Sequence, residues 1–188
     1  MCGRSQFLRV PEIVEAFGPA RVGDVTDVSE EAFPGSVVPA VVTHGTERVV
    51  SSFRWGFFDD NTGHNARLET APSRPAWREA YAGNRLVLPL AAFVEGRAWF
   101  RPEAAGAPLA VAGLFRFAGD GRRRTTMLTR PAGPAVAPFH ERMPVVLPAE
   151  MLDAWLGGAA VAVDELLTLP LALAVEPFPT TPPQPSLF

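Results

Sequence analysis

Arg85-Leu86-Val87-Leu88-Pro89-Leu90-Ala91-Ala92-Phe93-Val94-Glu95-Gly96-Arg97-Ala98-Trp99-Phe100 is, after its first residue, an apolar run broken by one proline and by Glu95-Gly96-Arg97. Its length and β-branched and aromatic content read as strands. Outward from it, Leu109 to Phe117 and Thr125 to Thr129 are two more strands, joined as a hairpin across Gly119-Asp120-Gly121. Upstream, Val50, Phe53, Trp55 and Phe57 interleave with polar residues over Arg48 to Phe58, as in a half-buried strand ending at Gly56. Pro39 interrupts the apolar run Val37 to Val42, which suits an edge strand or the wall of a cleft.

Helical periodicity is sparse. Val10 to Phe17 places Ile13, Val14 and Phe17 on one face and stops at Gly18-Pro19. Ser73 to Tyr81 reads as a helix with Ser73 as cap and Pro75 in the first turn, and Pro148 to Leu156 as one with Met151, Leu152 and Trp155 on its buried side. Asp164 to Leu169 adds a turn, and Leu171 to Val175 a closing strand. The pattern predicts one α+β domain over residues 2–176, dominated by antiparallel sheet with a few peripheral helices, followed by a proline-rich tail over 177–188 expected to be disordered until its end finds a partner.

The 188 residues are 47% hydrophobic and 20% charged, enough for one domain with a true core. The net charge of −3 counts against a molecule coated in nucleic acid, although a local basic groove remains open to it. A single Cys excludes an internal disulfide and suits a reducing cytoplasm, with no signal pattern and no apolar run long enough to cross a bilayer. Neither a phosphate-binding loop with lysine nor a zinc spacing is present, so no metal and no cofactor are expected.

Chemistry concentrates at the start, Met1-Cys2-Gly3-Arg4. Removal of Met1 would leave a 1,2-aminothiol, an amine and a thiol on neighbouring carbons, both able to attack an aldehyde. The amine would form an imine and the thiol would close on it to a thiazolidine. All 17 basic side chains besides histidine are arginine, so the α-amine is the one ordinary amine available for an imine. The bland alternative is a lone Cys packed as a small hydrophobe.

In the loop after Asn61-Thr62-Gly63, the alternating Asn65, Arg67 and Glu69 would point the same way if extended. Taken by its segment alone, Glu95 is a strand-end carboxylate facing water; buried, its pKa would rise and it would act as a general acid or base. His140 sits in Phe139-His140-Glu141-Arg142-Met143-Pro144, either as a satisfied structural histidine or as a proton shuttle. Trp55 reads as core, with a base-stacking surface as the lesser alternative. Arg122-Arg123-Arg124 reads as a solvated loop face with phosphate contact as the alternative.

Met1-Cys2-Gly3-Arg4, Trp55-Gly56, Asn65-Ala66-Arg67 with Glu69-Thr70, Phe93-Val94-Glu95, Ala112-Gly113-Leu114 and His140-Glu141-Arg142-Met143-Pro144 together resemble the SOS-response-associated peptidase (SRAP) family, in order from residue 2 to about 156. The resemblance implies a barrel-like sheet core and a bacterial protein, cytoplasmic and nucleoid-associated during repair, acting as a monomer without cofactor or metal. It implies covalent crosslinking to abasic sites in single-stranded DNA through a thiazolidine at Cys2. By the same resemblance Asn65 would hold the N-terminal group, Glu95 would move protons during imine formation and reversal, and His140 would assist sugar ring opening. Arg4, Arg67, Thr129 and Arg142 would contact phosphates, with Trp55 on the DNA side. Val94 and Gly96 stand where the family usually carries aromatics lining the DNA channel, and the segment between 18 and 47 is short, which implies a reduced groove wall.

The same Cys2 and His140 support a different enzyme, an N-terminal-nucleophile amidase or self-processing peptidase. A third reading is a non-catalytic single-strand binding module. Gln184-Pro185-Ser186-Leu187-Phe188 resembles peptides that dock on the bacterial sliding clamp, with Gln184, Leu187 and Phe188 as the anchors.

Overall fold

A computed structural model describes residues 3–19 and 21–178. In chain order they form β1 (Ser5–Phe7), α1 (Val10–Phe17), β2 (Arg21–Val22), β3 (Glu31–Ala32), β4 (Val37–His44), β5 (Glu47–Trp55), β6 (Asn65–Arg67), α2 (Arg78–Gly83), β7 (Arg85–Glu95), β8 (Ala98–Pro102), β9 (Leu109–Phe117), β10 (Arg123–Pro131) and β11 (Arg142–Pro144). Two short helices, α3 (Leu152–Leu156) and α4 (Val163–Thr168), precede the final strand β12 (Leu173–Pro177).

Five strands close on themselves in the cyclic order β4, β5, β10, β9, β7. Four of the five junctions are antiparallel and the β5–β10 junction is parallel, so the α+β, sheet-dominated expectation holds, with a barrel at the centre. The long hairpin β9–β10 follows from Gly119-Asp120-Gly121, where Asp120 accepts the Arg122 N–H at 3.0 Å and Ala118 N–H reaches Arg122 O at 2.8 Å. β1, β3, β8 and β12 extend the sheet beyond β7.

Strand alternation divides the buried residues into two clusters. One joins Val41, Val50, Val87, Ala112 and Leu128 to helix residues such as Ile13, Ala80 and Trp155. The other is free of helices and joins Ala40, Phe53, Trp55, Leu86, Leu88, Val111 and Met127 with Phe93 and Phe100. Gly113 alternates with Ala112 onto the side of this second cluster, and Leu86 occupies the space a side chain would need there: a Cβ would lie 2.6 Å from Leu86 Cδ1 and 2.8 Å from Thr126 O.

Several expectations are corrected. Val14 is 40% exposed, so only Ile13 and Phe17 carry the buried face of α1. The helix expected from Ser73 begins only at Arg78: Trp77 and Arg78 N–H both go to Arg74 O, and the residues before Arg78 run as turns. Pro39 lies inside a central strand: its partner Ser52 sends its own N–H away from β4 to Asp24 O at 3.1 Å, so this is a pair whose main-chain groups point outward. On the other side β4 meets β7 only at Val41↔Val87, leaving no ladder bond for a proline to lose. Sheet pairing continues through Pro177, one residue past the expected domain end. Of the proline-rich tail expected over 177–188, residues 179–188 with the clamp-like motif lie outside the described residues.

Candidate active site

β7 ends at Glu95, and the turn to β8 folds this residue inward. Glu95 is 2% exposed, which overturns the water-facing alternative and leaves the buried one. Burial pushes its carboxyl above the ordinary value of 4.5, with the charge of His140 as a smaller opposing influence. His140 Nδ1 stands 3.7 Å from Glu95 Oε2.

The loop carrying His140 is held by its own main chain. Ala132 N–H bonds Glu141 O at 2.9 Å, and His140 N–H bonds Val136 O at 3.0 Å. Gly96 makes the approach possible: with φ +56° in the β7–β8 turn, its Cα faces Phe139 so closely that a Cβ would lie 2.8 Å from Phe139 O. Arg142 N–H donates to His140 Nδ1 at 2.9 Å, which makes Nδ1 the acceptor and leaves the neutral ring's proton on Nε2. With a proton on Nδ1 the ring would donate to Arg142 O at 3.2 Å and face the Glu95 carboxylate across 3.7 Å as an ion pair.

β10 links this pair to the loop residues. Its Met127, Leu128 and Thr129 lie in parallel register with Asn65, Ala66 and Arg67, and Pro131 pairs with Arg142 on the other side. Asn65 and Arg67 flank buried Ala66 on β6, and the extended run expected to Glu69 gives way after Arg67 to a turn, with buried Leu68 before Glu69. Arg67 is exposed. Thr129 is buried, its hydroxyl donating to Ala66 O at 3.3 Å. Arg142 is 6% exposed and clamps both oxygens of Glu69, with one Nη also donating to Thr129 O at 2.7 Å. Its Nε has no partner among the described residues. The Arg142 bonds hold the Glu69 carboxyl below its ordinary value.

The structure therefore brings Glu95, His140, Thr129 and Arg142 into one connected region with Asn65 and Arg67 at its border. Cys2 lies outside the described residues. The backbone nearest to it is placed, because Val94 N–H donates to Arg4 O at 3.0 Å and Ser5 pairs with Phe93. Arg4 bonds Glu31 at 2.6 Å and lies over the Trp99 ring at 4.9 Å. Trp55 leaves the DNA-facing set: it is fully buried, with its indole N–H on His64 O at 2.9 Å, so neither ring face is open to a base. The Arg122-Arg123-Arg124 run does not make a common basic face, since its members turn to Asp120, Asp24 and Asp59 respectively.

Two contributors were not assigned from sequence: Glu69 as the brace of Arg142, and Gly96 as the contact point for the His140 loop. The alternation of Asn65, Arg67 and Glu69 was the available signal for the first. The second pairs residues 43 positions apart, and no local pattern encodes it. Among the described residues no three His, Cys, Asp or Glu side chains converge to hold a metal ion, and no helix is long and apolar enough to cross a membrane.

The family model described as SOS response associated peptidase (SRAP) matches residues 1–180. Abasic site processing protein YoqW of Bacillus subtilis is 26% identical over 195 residues, covering 90% of this chain and 86% of that protein. Abasic site processing protein YoaM of the same organism is 26% identical over 159 residues, covering 72% and 69%. Among solved structures, a protein from Bordetella bronchiseptica superposes with a TM-score of 0.80 at 24% identity, covering 95% of this chain and all of that one.

Proposed function

Because the chain belongs to the SRAP family, with a match over residues 1–180, we propose that it processes abasic sites in DNA, the role its Bacillus relatives carry in their names, and that it does so by covalent capture at Cys2. The observation that carries this reading is the buried Glu95 carboxyl, 3.7 Å from an imidazole, at the end of the strand that holds the backbone two residues after Cys2.

The chemistry runs without a redox step. After excision of Met1, the Cys2 amine adds to the C1′ aldehyde of the ring-opened sugar, and the resulting hydroxyl leaves as water with a proton from a neighbouring acid, giving the imine. The Cys2 sulfur then adds to the imine carbon, its proton passing to nitrogen, and the ring closes as a thiazolidine. Amine, aldehyde and thiol combine with loss of one water.

A carboxyl and an imidazole side by side suit these steps. Glu95, raised by burial, holds a proton closer to neutral pH than an exposed glutamate does and returns it to a departing oxygen. His140, with Nδ1 engaged by Arg142 N–H, offers Nε2–H toward the sugar oxygen during ring opening. Asn65 holds the N-terminal group. Arg67 takes a flanking phosphate, with the Arg142 guanidinium and Thr129 behind it. Arg4 takes part from the N-terminal side. Extruding an abasic nucleotide costs little because there is no base to unstack, which favours the lesion over intact DNA.

Gln184, Leu187 and Phe188 we assign to a peptide that docks on the sliding clamp. Equal clamp capture after deletion of residues 184–188 would end that assignment. The central reading is tested by incubating the protein with single-stranded DNA carrying one abasic site, beside Cys2→Ala and Glu95→Ala, followed by denaturing electrophoresis. A heat-stable shifted band that needs Cys2 and is slowed in Glu95→Ala is the expected result. A protein free of Met1 that gives no band overturns it.

A further inference from the structure

Arg4, Val94, Trp99 and Glu176 stand in one row across the sheet: Arg4 O takes the Val94 N–H, Val94 pairs with Trp99, and Trp99 with Glu176. Paired residues on neighbouring strands share a face. Alternation turns this row to the side opposite Phe93 and Phe100, whose rings stack in the core 5.2 Å apart. Arg101, two residues beyond Trp99, lies on the same side.

These residues gather their π groups at one place, and Phe178 joins them, its ring 5.8 Å from the Arg4 guanidinium and 6.5 Å from the Trp99 ring at a tilt of 58°. The Arg4 guanidinium lies 4.9 Å from the Trp99 ring centre and 5.9 Å from that of Phe33, and Arg101 lies 5.5 Å from Trp99. Phe33 is 49% exposed. Each arginine is matched by a carboxylate, Arg4 by Glu31 at 2.6 Å and Arg101 by Glu176 at 3.5 Å. With each guanidinium charge met by a carboxylate, what this surface offers beyond any phosphate contact of Arg4 is stacking, which aromatic rings and guanidinium planes both provide.

Position selects the occupant. Consecutive Cα atoms are 3.8 Å apart, so Arg4 is at most about 7.6 Å from Cys2 along the chain. A DNA strand held at Cys2 passes this surface within a nucleotide or two. The bases beside an abasic site have lost a stacking neighbour and present an open face. We propose that the Arg4–Trp99–Phe33 surface stacks a nucleobase next to the abasic site, an inference that rests on capture of the sugar at Cys2.

The tryptophans supply the assay. Trp55, Trp77 and Trp155 are buried, whereas Trp99 is half-buried, so quenching by a stacked base would come from Trp99. The probe is a short single-stranded oligonucleotide with one abasic site, titrated into Cys2→Ala protein while tryptophan emission is recorded, with Trp99→Leu and Phe33→Ala added to that background. The proposal expects quenching that vanishes in Trp99→Leu, and binding weakened by about 5- to 150-fold, the range for losing one stacked base. Phe33→Ala, which leaves Trp99 in place, should weaken binding with quenching retained at saturation. Absence of quenching in the parent, or unchanged affinity in both variants, overturns it.

Adduct formation by the Cys2-containing protein is scored separately. An adduct without Trp99-dependent quenching refutes the stacking surface alone. Quenching without an adduct refutes covalent capture, and with it the lesion-specific role of this surface.

Discussion

Replacing Gly96 by alanine should loosen the site more than it harms the fold. The residue sits at φ +56°, where an L side chain costs about 1–2 kcal/mol, and the new Cβ would lie 2.8 Å from Phe139 O. Ordinary contact begins near 3.4 Å, so the His140 loop must retreat by about 0.6 Å. Overpacking of this kind adds about 1–3 kcal/mol. The combined loss is about 3 kcal/mol, which for a chain of this size lowers Tm by about 6–12 °C. The retreat falls one residue from His140, whose Nδ1 depends on a 2.9 Å bond from Arg142 and a 3.7 Å spacing to Glu95. Reactive geometry tolerates about 0.5 Å, so crosslinking to an abasic oligonucleotide should slow about 10- to 100-fold at temperatures where the variant is fully folded. Thermal unfolding by circular dichroism and single-turnover gel kinetics measure the two effects. Gly96→Asn separates their causes, since asparagine tolerates the left-handed region but brings the same Cβ. It should recover part of the stability and little of the rate. A Gly96→Ala protein with Tm within 2 °C and rate within twofold of the parent would refute the contact between this turn and the His140 loop as the reason for glycine.

Glu69→Gln removes the counter-charge of a nearly buried Arg142 and should cost about 2 kcal/mol in urea unfolding at pH 7, the range for a hydrogen bond to a charged group. Because pairing lowers the Glu69 pKa, this contribution is present above the unfolded value and is lost as pH falls through the folded one, so the gap between parent and variant should close in acid. Glu95 has the opposite sign: its folded pKa is raised, the native state binds more protons than the unfolded state between the two values, and stability falls as pH climbs through that window. Glu95→Gln should therefore be more stable than the parent above the window and close to it below, as read by Tm across pH; an equal offset at all pH values would contradict burial as the cause. Gly113→Ala drives a Cβ onto Leu86 and Thr126 and should lose about 1–3 kcal/mol in urea unfolding, and a neutral result would mean that the two clusters are not packed as described.

The sheet was legible because its strands carry local signals. The run from Arg85 to Phe100, the Gly119-Asp120-Gly121 turn and the alternation over Arg48 to Phe58 each specify a strand or hairpin without reference to the rest of the chain. Pro39 misled because its tolerance depends on which neighbour its nitrogen faces, a property of β5 and β7 rather than of β4. Val14 misled because a short helix at the rim buries a narrower stripe than its apolar residues allow. At the site, residue types pointed to Glu95 and His140, but burial of Glu95 and its spacing to His140 arise from a turn meeting a loop more than 40 residues away. Trp99 lacked any signal, since one aromatic in a strand is ordinarily core. Its side of the sheet is decided by the pairing of β8 with β7 and β12, which the residue itself does not encode.

Covalent capture at Cys2 is tested most directly by intact mass spectrometry of the gel-purified adduct, before and after treatment with a thiol alkylating agent under denaturing conditions. The account predicts the mass of the protein without Met1 plus the abasic oligonucleotide minus one water, unchanged by alkylation because the chain's single thiol is closed in the thiazolidine ring. An adduct that retains Met1, or one that gains an alkyl group at Cys2, would contradict it.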